Sequence, residues 1–256
     1  MAVKPILMKY IGIIPARYGS TRLEGKPLID ILGKPMIQWV YEKSSNVLND
    51  VYVATDDNRI KDAVESFGGK VVMTSSNHNT GTNRCLEAYQ IIAETNGISY
   101  DVVINIQGDE PMLHPEQLQS LKLSFQDDNT ELATLVIPVT NADDLDNESE
   151  AFVTFDLNMN ALYFSRSVIP AIKGIPKSRW FEKNTFYKHL GMYAYTPQAL
   201  EKFAGLSQSS LELAEGLEQN RWLENGNKIR IAITKHQSIP VDTKEDLDAI
   251  RKIMNQ

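Results

Sequence analysis

Short apolar runs that alternate with helical patterns constrain the fold of this chain more than any other feature of its sequence. The first run, Tyr10–Ala16, is compact and typical of a buried parallel strand. Further strands are predicted at 51–55, 70–74, 102–106 and 132–138, and helices at 35–48, 58–67, 82–94 and from Pro115 onward. Strands separated by helices form βαβ units, whose right-handed crossovers produce a mainly parallel sheet. The sequence therefore predicts an α/β fold with a mostly parallel, Rossmann-like sheet.

The pattern changes after about residue 141. An acidic run at 143–150 predicts a solvated surface excursion. Later segments predict strands at 161–166, 188–196 and 229–234, and helices at 209–223 and 244–254, the last capped by Thr243. A segment with prolines and aromatic residues, rather than a helical pattern, separates the first two of these strands. The second half therefore predicts antiparallel or mixed pairing.

Length and composition fit a soluble globular protein of one α/β domain, or one domain with a sizeable insertion: 256 residues, 42% hydrophobic and 23% charged. A net charge of −7 disfavours a wholesale nucleic-acid binder. The single cysteine, Cys85, excludes an internal disulfide and a cysteine zinc site, and it fits a core residue. Lys9 breaks the first apolar stretch, so no signal peptide is predicted, and no window approaches the ~20 apolar residues of a membrane span. We expect a cytoplasmic protein with neither nucleic acid nor membrane as a partner.

A loop rich in basic and small residues follows the first strand. Arg17, Arg22 and Lys26 place three cations within ten positions, and together they can neutralise a triphosphate. Small residues such as Gly19 and Ser20 let backbone N–H groups approach phosphate oxygens closely. The loop is not a Walker sequence, because proline rather than Ser or Thr follows Lys26, and the GxGxxG spacing is absent. A phosphate-binding loop is favoured over the alternative, a solvated basic loop.

Two aspartates stand next to predicted strand ends. Asp109 lies in the segment 107–111, directly after a buried strand, and Asp242 lies between a strand and the last helix. In open α/β folds the strand ends share one crevice, so we expect the two carboxylates to converge within reach of one Mg²⁺ ion. A tight turn at 107–111 and a helix cap at Asp242 are the alternatives. Gln107, beside the first aspartate, could hydrogen-bond a base or ribose.

A scattered set of polar residues in the second half completes the candidates: Arg166, His189, Tyr193, Glu218, Gln219 and Arg221. Individually these residues prove little. His189 taken alone is more often a structural histidine with a satisfied hydrogen bond than a ligand.

The chain closely resembles the 3-deoxy-manno-octulosonate (Kdo) cytidylyltransferases, also called CMP-Kdo synthetases. The matching segments run in the family's order from about Ile11 to Ile253 and include IIPARYGSTRLEGKPL, TGTNR, VVINIQGDEP, LYFSRSVIP, YKHLGMYAY, SSLELAEGLEQNRWLENG and VDTKEDL. The resemblance implies a nucleotidyltransferase fold of the nucleotide-diphospho-sugar transferase type and a homodimer. It also implies one domain over 1–256, with an inserted dimerisation and sugar-binding region at about 150–225.

The resemblance further implies the reaction and the residues that carry it. The anomeric hydroxyl of an acidic eight-carbon sugar attacks the α-phosphorus of CTP in line, and pyrophosphate leaves. The implied nucleotide-binding residues are Ala16, Arg17, Gly19, Ser20, Arg22, Lys26, Arg84 and Gln107. The implied catalytic residues are Arg17, Lys26, Asp109 and Asp242, of which the two aspartates bind Mg²⁺. The implied sugar-binding residues are Arg166, His189, Tyr193, Glu218 and Gln219.

One departure from the family bears on the substrate. Asn83 stands where the family usually has Asp, which removes a negative charge near the expected pocket. The 8-amino-8-deoxy version of Kdo and other ulosonic acids therefore stay open as substrates. A cytidylyltransferase for a sialic or other nine-carbon acid and a paralogue that binds CTP without turnover are the rival interpretations. The presence of both Asp109 and Asp242 disfavours the paralogue.

Overall fold

The computed structural model describes residues 8–19, 23–147 and 149–255. The described strands are β1 (Tyr10–Ala16), β2 (Asp30–Ile31), β3 (Lys34–Pro35), β4 (Asp50–Thr55), β5 (Val71–Met73), β6 (Val102–Asn105), β7 (Leu132–Pro138), β8 (Phe152–Phe155), β9 (Ala161–Ser165), β10 (Tyr187–Tyr195) and β11 (Arg230–Ile233). The described α-helices are α1 (Met36–Ser45), α2 (Asn58–Ser66), α3 (Gly81–Asn96), α4 (Pro115–Ser124), α5 (Pro197–Gly205), α6 (Ser210–Glu215), α7 (Gln219–Glu224) and α8 (Lys244–Met254). Short 3₁₀ turns cover Lys26–Leu28, Ala142–Asp146 and Lys177–Glu182.

The chain divides into two compact units. The first comprises the described residues up to Leu118, the segment Ala194–Ala204 and the described residues from Ser238 onward. The second comprises Gln119–Tyr193 and Gly205–Gln237. Whether these belong to a single domain with an insertion at about 150–225 stays a prediction.

The first unit is built on a parallel sheet with β1 between two neighbours. β1 pairs with β4, where Ile11 lies opposite Asp50, and with β6, where Ile11 lies opposite Val103. β5 pairs with the far side of β4, also in parallel. Ile13 and Ile14 are both 0% exposed, as expected of a strand that is covered on both faces. The carboxyl ends of β1 and β6 therefore point to the same edge of the sheet.

Helix caps determine where several helices of the first unit begin. The Asp57 side chain accepts a hydrogen bond from the backbone of Arg59 at the start of α2, and Thr80 caps α3 in the same way. Thr243 and Asp246 form a reciprocal capping box at α8. Each cap contributes about 1 kcal/mol to stability. The predicted start of α8, with Thr243 as its cap, is confirmed.

A buried apolar cluster anchors α8. Leu247 and Ile250 of this helix pack into the cluster, whose other buried members are Ile31, Met36 and Val241. Burying a side chain of this size contributes roughly 1.5–3 kcal/mol. Because Val241 belongs to the cluster, the backbone that carries Asp242 is held in place from beneath.

The second unit has the mixed pairing that the sequence predicts. β7 and β11 are parallel, with Ala133 opposite Arg230. β8 is antiparallel both to β10 and to β9, where Val153 lies opposite Phe164. The predicted α/β class with a mostly parallel first half and a mixed second half is confirmed.

The prediction of a single helix at 209–223 is wrong. α6 ends at Glu215, and Gly216 follows in the left-handed conformation with a φ of 63°. A new helix, α7, begins only at Gln219. Glycine adopts a positive φ without the steric cost that a Cβ atom brings, so it ends a helix that the apolar pattern alone would continue.

The acidic run at 143–150 is not wholly the solvated face that was expected. Leu145 within it is buried against Phe152 and Phe186. Asp144 and Glu150 each lie 3.0 Å from the ammonium of Lys188, a side chain that is itself buried. A buried ammonium requires paired charges, and the acidic run supplies them.

β2, β3, β8 and α5 are missing from the elements predicted by sequence. The sequence patterns do not separate these elements from their flanking segments. Within the part of the chain that the structure describes, no helix combines the length and the apolar character needed to cross a bilayer.

Candidate active site

Three charged side chains meet beside the strand ends of the first unit. Lys26 Nζ donates to Asp109 Oδ2 at 2.6 Å and to Asp242 Oδ1 at 2.9 Å. The Lys26 side chain is only 13% exposed, and the aspartates are 31% and 34% exposed. Two carboxylates this close repel one another unless a cation lies between them. The Lys26 ammonium is that cation.

The backbone explains why residues so far apart in sequence converge. Asp109 follows β6 and Asp242 precedes the cap of α8. The amide of Val241 donates to the carbonyl of Asp109 at 3.0 Å, which ties the two segments together. A Cβ atom at Gly108 would lie 3.0 Å from the carbonyl oxygen of Pro15, so glycine lets the loop after β6 lie directly against the end of β1.

The donor set suits a small divalent cation. Carboxylate oxygens are the hard ligands that Mg²⁺ prefers, and a cation already occupies the space between them. The convergence expected of Asp109 and Asp242 is present, and their role as Mg²⁺ ligands stays a prediction.

Glu110 is a buried acid next to this cluster that the sequence analysis did not single out. Its side chain is almost fully buried. Burial and, to a lesser extent, the negative charge of Asp109 raise its pKa to about 7. The signal available in the sequence was its position beside Asp109 in the turn after β6. With its pKa raised to about 7, Glu110 adds less than a full negative charge to the site near neutral pH.

The predicted phosphate loop is described only in part. Ala16 ends β1 and is buried, whereas Arg17 and Gly19 are exposed. Ser20 and Arg22 lie outside the described residues. Gln107 is partly buried in the loop after β6. The described loop residues therefore sit at the same sheet edge as Asp109.

Arg84 is a buried arginine near this edge. It is 1% exposed, and its Nη1 lies 2.6 Å from Thr74 Oγ1 and 3.1 Å from Asp56 Oδ1. Its Nη2 has no hydrogen-bond partner within the described ranges. Burial lowers the pKa of Arg84; Asp56 opposes this shift, and the positive charge of Arg17 adds to it. The buried Nη2 group of Arg84, which has no hydrogen-bond partner among the described residues, is suited to an anion.

The second unit brings together three of the five predicted sugar-binding residues. The rings of His189 and Tyr193 lie 5.3 Å apart, and His189 Nε2 is 3.0 Å from Thr134 Oγ1. Burial lowers the pKa of His189 to about 3, so its imidazole is neutral at physiological pH. Burial, followed by the negative charge of Glu218, raises the pKa of Tyr193 well above its usual value.

The remaining two residues of the predicted sugar set are Gln219, the chain neighbour of Glu218, and Arg166. Gln219 is 2% exposed, and its Nε2 group has no hydrogen-bond partner among the described residues. Arg166 is exposed, and its Nε and Nη1 donate to the carbonyls of Glu215 and Ser149 at 2.9 and 3.0 Å. It borders a cavity of about 380 Å³ in the second unit, beside Lys177. The unpartnered amide of Gln219 and the cavity beside Arg166 both favour a polar ligand.

Comparisons with known proteins give the site its context. The profile of the family described as Cytidylyltransferase matches residues 11–229. The 3-deoxy-manno-octulosonate cytidylyltransferase of Parabacteroides distasonis is 55% identical, over 94% of this chain and 96% of that protein. The 8-amino-3,8-dideoxy-manno-octulosonate cytidylyltransferase of a Shewanella species is 47% identical, over 94% and 96%. A solved structure of a CMP:2-keto-3-deoxy-manno-octonic acid synthetase complexed with CTP has a TM-score of 0.87 and 40% identity, and the match covers 97% of this chain and 99% of that one.

The fold and the family match define a cytidylyltransferase, one class of nucleotidyltransferase. Sequence identity over nearly the whole length narrows the assignment. The chain belongs to the Kdo cytidylyltransferase, or CMP-Kdo synthetase, family. The resemblance read from the motifs is confirmed, and so are the nucleotidyltransferase fold and the enzyme class.

Proposed function

We propose that this protein transfers CMP from CTP to the anomeric hydroxyl of 3-deoxy-D-manno-octulosonate, giving CMP-Kdo and pyrophosphate for lipopolysaccharide biosynthesis. The observation that carries the proposal is the pair of carboxylates, Asp109 and Asp242, that share one cation beside a basic loop. Such a pair suits a metal-assisted transfer of a nucleotide. Relatives named for this reaction, and a similar structure with CTP, support the choice of substrates.

Asp109 and Asp242 would hold Mg²⁺ where the Lys26 ammonium now lies. A Mg²⁺ ion held by these two carboxylates would supply Lewis-acid chemistry, lowering the pKa of the attacking hydroxyl and offsetting charge on the phosphoryl oxygens. The arrival of the nucleotide gives Lys26 a new anionic partner, because a triphosphate carries more negative charge than two carboxylates. Lys26 thus changes from counter-ion of the aspartates to counter-ion of the phosphates.

The leaving pyrophosphate is stabilised by cations of the first unit. Arg17 and Lys26 supply charge along the triphosphate, an electrostatic effect that is often the largest in catalysis. Arg84, whose Nη2 lacks a hydrogen-bond partner in the described part of the chain, is suited to the same anion. The other residues of the proposed nucleotide site are Ala16, Gly19, Ser20 and Arg22, with Gln107 at the base or ribose.

The sugar acid is proposed to bind in the second unit. His189 is neutral, so it exchanges hydrogen bonds with hydroxyl groups rather than pairing with the carboxylate. Gln219 Nε2 is a buried donor that a sugar oxygen would satisfy. Arg166 is the cationic member of the set and complements the sugar carboxylate. Tyr193 and Glu218 complete the hydrogen-bonding surface.

We also infer a homodimer and a cytoplasmic location. The region at about 150–225, as an insertion in a single domain, would supply the dimer contacts together with the sugar site. The family resemblance supports the homodimer. Analytical ultracentrifugation of the purified chain tests the dimer, and a monomer at enzymatic concentrations would contradict it.

Pyrophosphate release with a panel of nucleotides and sugar acids tests the reaction. We expect CTP to be used in strong preference to ATP and GTP, because a pocket built to hydrogen-bond one base leaves polar groups unpaired with another, at a cost that can reach about 10⁴-fold in kcat/KM. Kdo should be the best acceptor. Equal turnover with ATP would contradict the nucleotide assignment.

The 8-amino sugar is the second candidate acceptor, because a relative named for it is 47% identical. A higher kcat/KM with 8-amino-3,8-dideoxy-manno-octulosonate than with Kdo would favour it, and one with a sialic acid would favour a nine-carbon substrate. Binding of CTP without release of pyrophosphate from any pair would favour the non-catalytic paralogue.

A further inference from the structure

Arg221, which pairs with Glu218, also forms a buried ion pair with Glu212. Arg221 is 6% exposed and Glu212 is 5% exposed, and charged side chains are buried to this extent almost only when paired. Arg221 Nε lies 3.1 Å from Glu212 Oε2, and Arg221 Nη2 donates to Glu218 Oε1 at 2.7 Å. Arg221 Nη1 donates to the carbonyl of Leu206 at 2.9 Å. One guanidinium therefore bridges two carboxylates while a backbone carbonyl fixes its third side.

The backbone around Glu218 explains why this residue needs such a partner. Glu218 lies in the short connection after Gly216 ends α6, at the N-cap position of α7, where its side chain makes no capping hydrogen bond. A glutamate side chain has several rotatable bonds, and ordering it costs conformational entropy. A donor that is already fixed in the protein interior restricts Glu218 before any ligand binds.

The negative charge of the sugar acid is a second reason why Glu218 needs a cationic partner. The sugar acid is an anion, and two unneutralised glutamates near its pocket would repel it. Arg221 offsets the charge of Glu212 and Glu218, with which it forms ion pairs. An exposed pair three residues apart on a helix contributes little, whereas a buried pair is costly to break.

We propose that Arg221 is a positioning residue for the sugar acid. It holds the Glu218 carboxylate in the orientation in which that carboxylate accepts hydrogen bonds from sugar hydroxyl groups, and Glu212 anchors the guanidinium from behind. The inference rests on the sugar-binding role proposed for Glu218. Arg221 acts through Glu218 and does not itself touch the substrate.

Steady-state kinetics of a variant series test this role, with KM measured separately for Kdo and for CTP. We expect Arg221→Met to raise KM for Kdo by roughly 10²-fold, the order of effect of a small misplacement of a binding group. KM for CTP should stay near the parent value. Arg221→Lys should recover only part of the loss, because an ammonium lacks the planar fork that bridges two carboxylates. The double variant Arg221→Met/Glu218→Gln should be little worse than Glu218→Gln alone, because the two residues act as a unit.

Two further variants keep the test decisive. Arg230→Met removes an ion pair of 2.5 Å with Asp127 in the same unit, outside the sugar set, and should leave both KM values unchanged. Arg221→Met leaves the buried Glu212 carboxylate without its ion-pair partner, although Ser209 and Gln208 still donate hydrogen bonds to it. If thermal unfolding shows that this variant is not folded, Arg221→Met/Glu212→Gln replaces it in the series, because the amide carries no charge.

The outcomes separate this inference from the proposed function. Equal increases in KM for CTP and Kdo, or additive losses in the double variant, would overturn the positioning role alone. An unchanged KM for Kdo in Glu218→Gln would overturn the sugar role of Glu218 and the inference with it. Failure of the proposed function appears differently, as no pyrophosphate release by the parent protein, and it would overturn both.

Discussion

At the scale of single residues, Lys26 links the two halves of the proposed chemistry. Its ammonium lies between the carboxylates of Asp109 and Asp242. The same side chain belongs to the loop proposed to bind phosphates. A cation that neutralises the two acids in the free protein keeps them close together at low electrostatic cost, and it is available to the triphosphate when CTP arrives.

Lys26→Met therefore has two expected effects. Nucleotide-free protein should bind Mn²⁺, a stand-in for Mg²⁺, more tightly than the parent does, because the two carboxylates lose their internal counter-ion. In the same variant kcat/KM for CTP should fall by roughly 10²-fold, as when one electrostatic donor is lost. Isothermal titration measures the first effect and pyrophosphate release the second. Lys34→Met, which breaks an exposed pair with Glu42 at 2.6 Å, should change neither; weaker Mn²⁺ binding in Lys26→Met would contradict the account.

The lowered pKa of His189 predicts how the stability of the protein depends on pH. Burial lowers its pKa to about 3 in the folded protein, whereas an unperturbed histidine has a pKa of about 6.5. Between these values the unfolded chain binds the extra proton, so the stability contribution is present above pH ~6.5 and is lost as the pH falls. Denaturant unfolding at pH 7 and pH 5 should show that His189→Gln loses less stability than the parent, by up to about 1.4 kcal/mol per pH unit below 6.5. Identical pH dependence in the two proteins would argue against an imidazole that the fold keeps neutral.

The convergence of Asp109 and Asp242 could be predicted at this scale, because strand order and direction decide where strand ends meet. The ammonium between them could not, because it depends on how a lysine 83 positions from Asp109 packs in three dimensions. The pairing of Arg221 with Glu212 was likewise beyond the sequence, since the two residues are nine positions apart and the break of the predicted helix at Gly216 brings them together.

At the scale of elements, the bounds of helices and strands were predicted well where the signal, such as an apolar run or a capping residue, lies within the segment itself. β1 and β7 match the predicted ranges because each is a continuous apolar run with clear ends, and α8 matches because Thr243 caps it. The helix at 209–223 failed because its apolar pattern continues across Gly216, whose φ of 63° ends α6. Periodicity reports which face is buried and does not report where the backbone turns.

The turn at Gly216 can be tested with a matched pair of glycines. Gly216 and Gly205 both have open space where a Cβ atom would lie, but only Gly216 has a positive φ. Gly216→Ala should destabilise the protein by roughly 1–2 kcal/mol, the cost of placing a side chain in the left-handed conformation. Gly205→Ala, at the end of α5, should be neutral or slightly stabilising. Thermal unfolding measures both, and equal shifts in Tm would show that the left-handed turn is not what Gly216 provides.

At the scale of the whole molecule, each unit carries one part of the proposed reaction. The parallel strands of the first unit support the aspartates and the phosphate loop, and the strands of the second unit, whose pairing is mixed, support the residues proposed for the sugar. The α/β class and the change of pairing could be predicted from sequence because alternation of strands and helices encodes them. The division into two compact units could not, because the first unit takes segments from three parts of the chain.

We propose that Asp109 and Asp242 act on one cation during transfer of CMP. The rate of pyrophosphate release from CTP and Kdo by Asp109→Asn, Asp242→Asn and the double variant tests it most directly, since asparagine keeps the shape and removes the charge. Each single variant should lose at least about 10²-fold in kcat, and the double variant should be little slower than either. CTP should still bind through Arg17 and Lys26. Full activity of either single variant would contradict the claim.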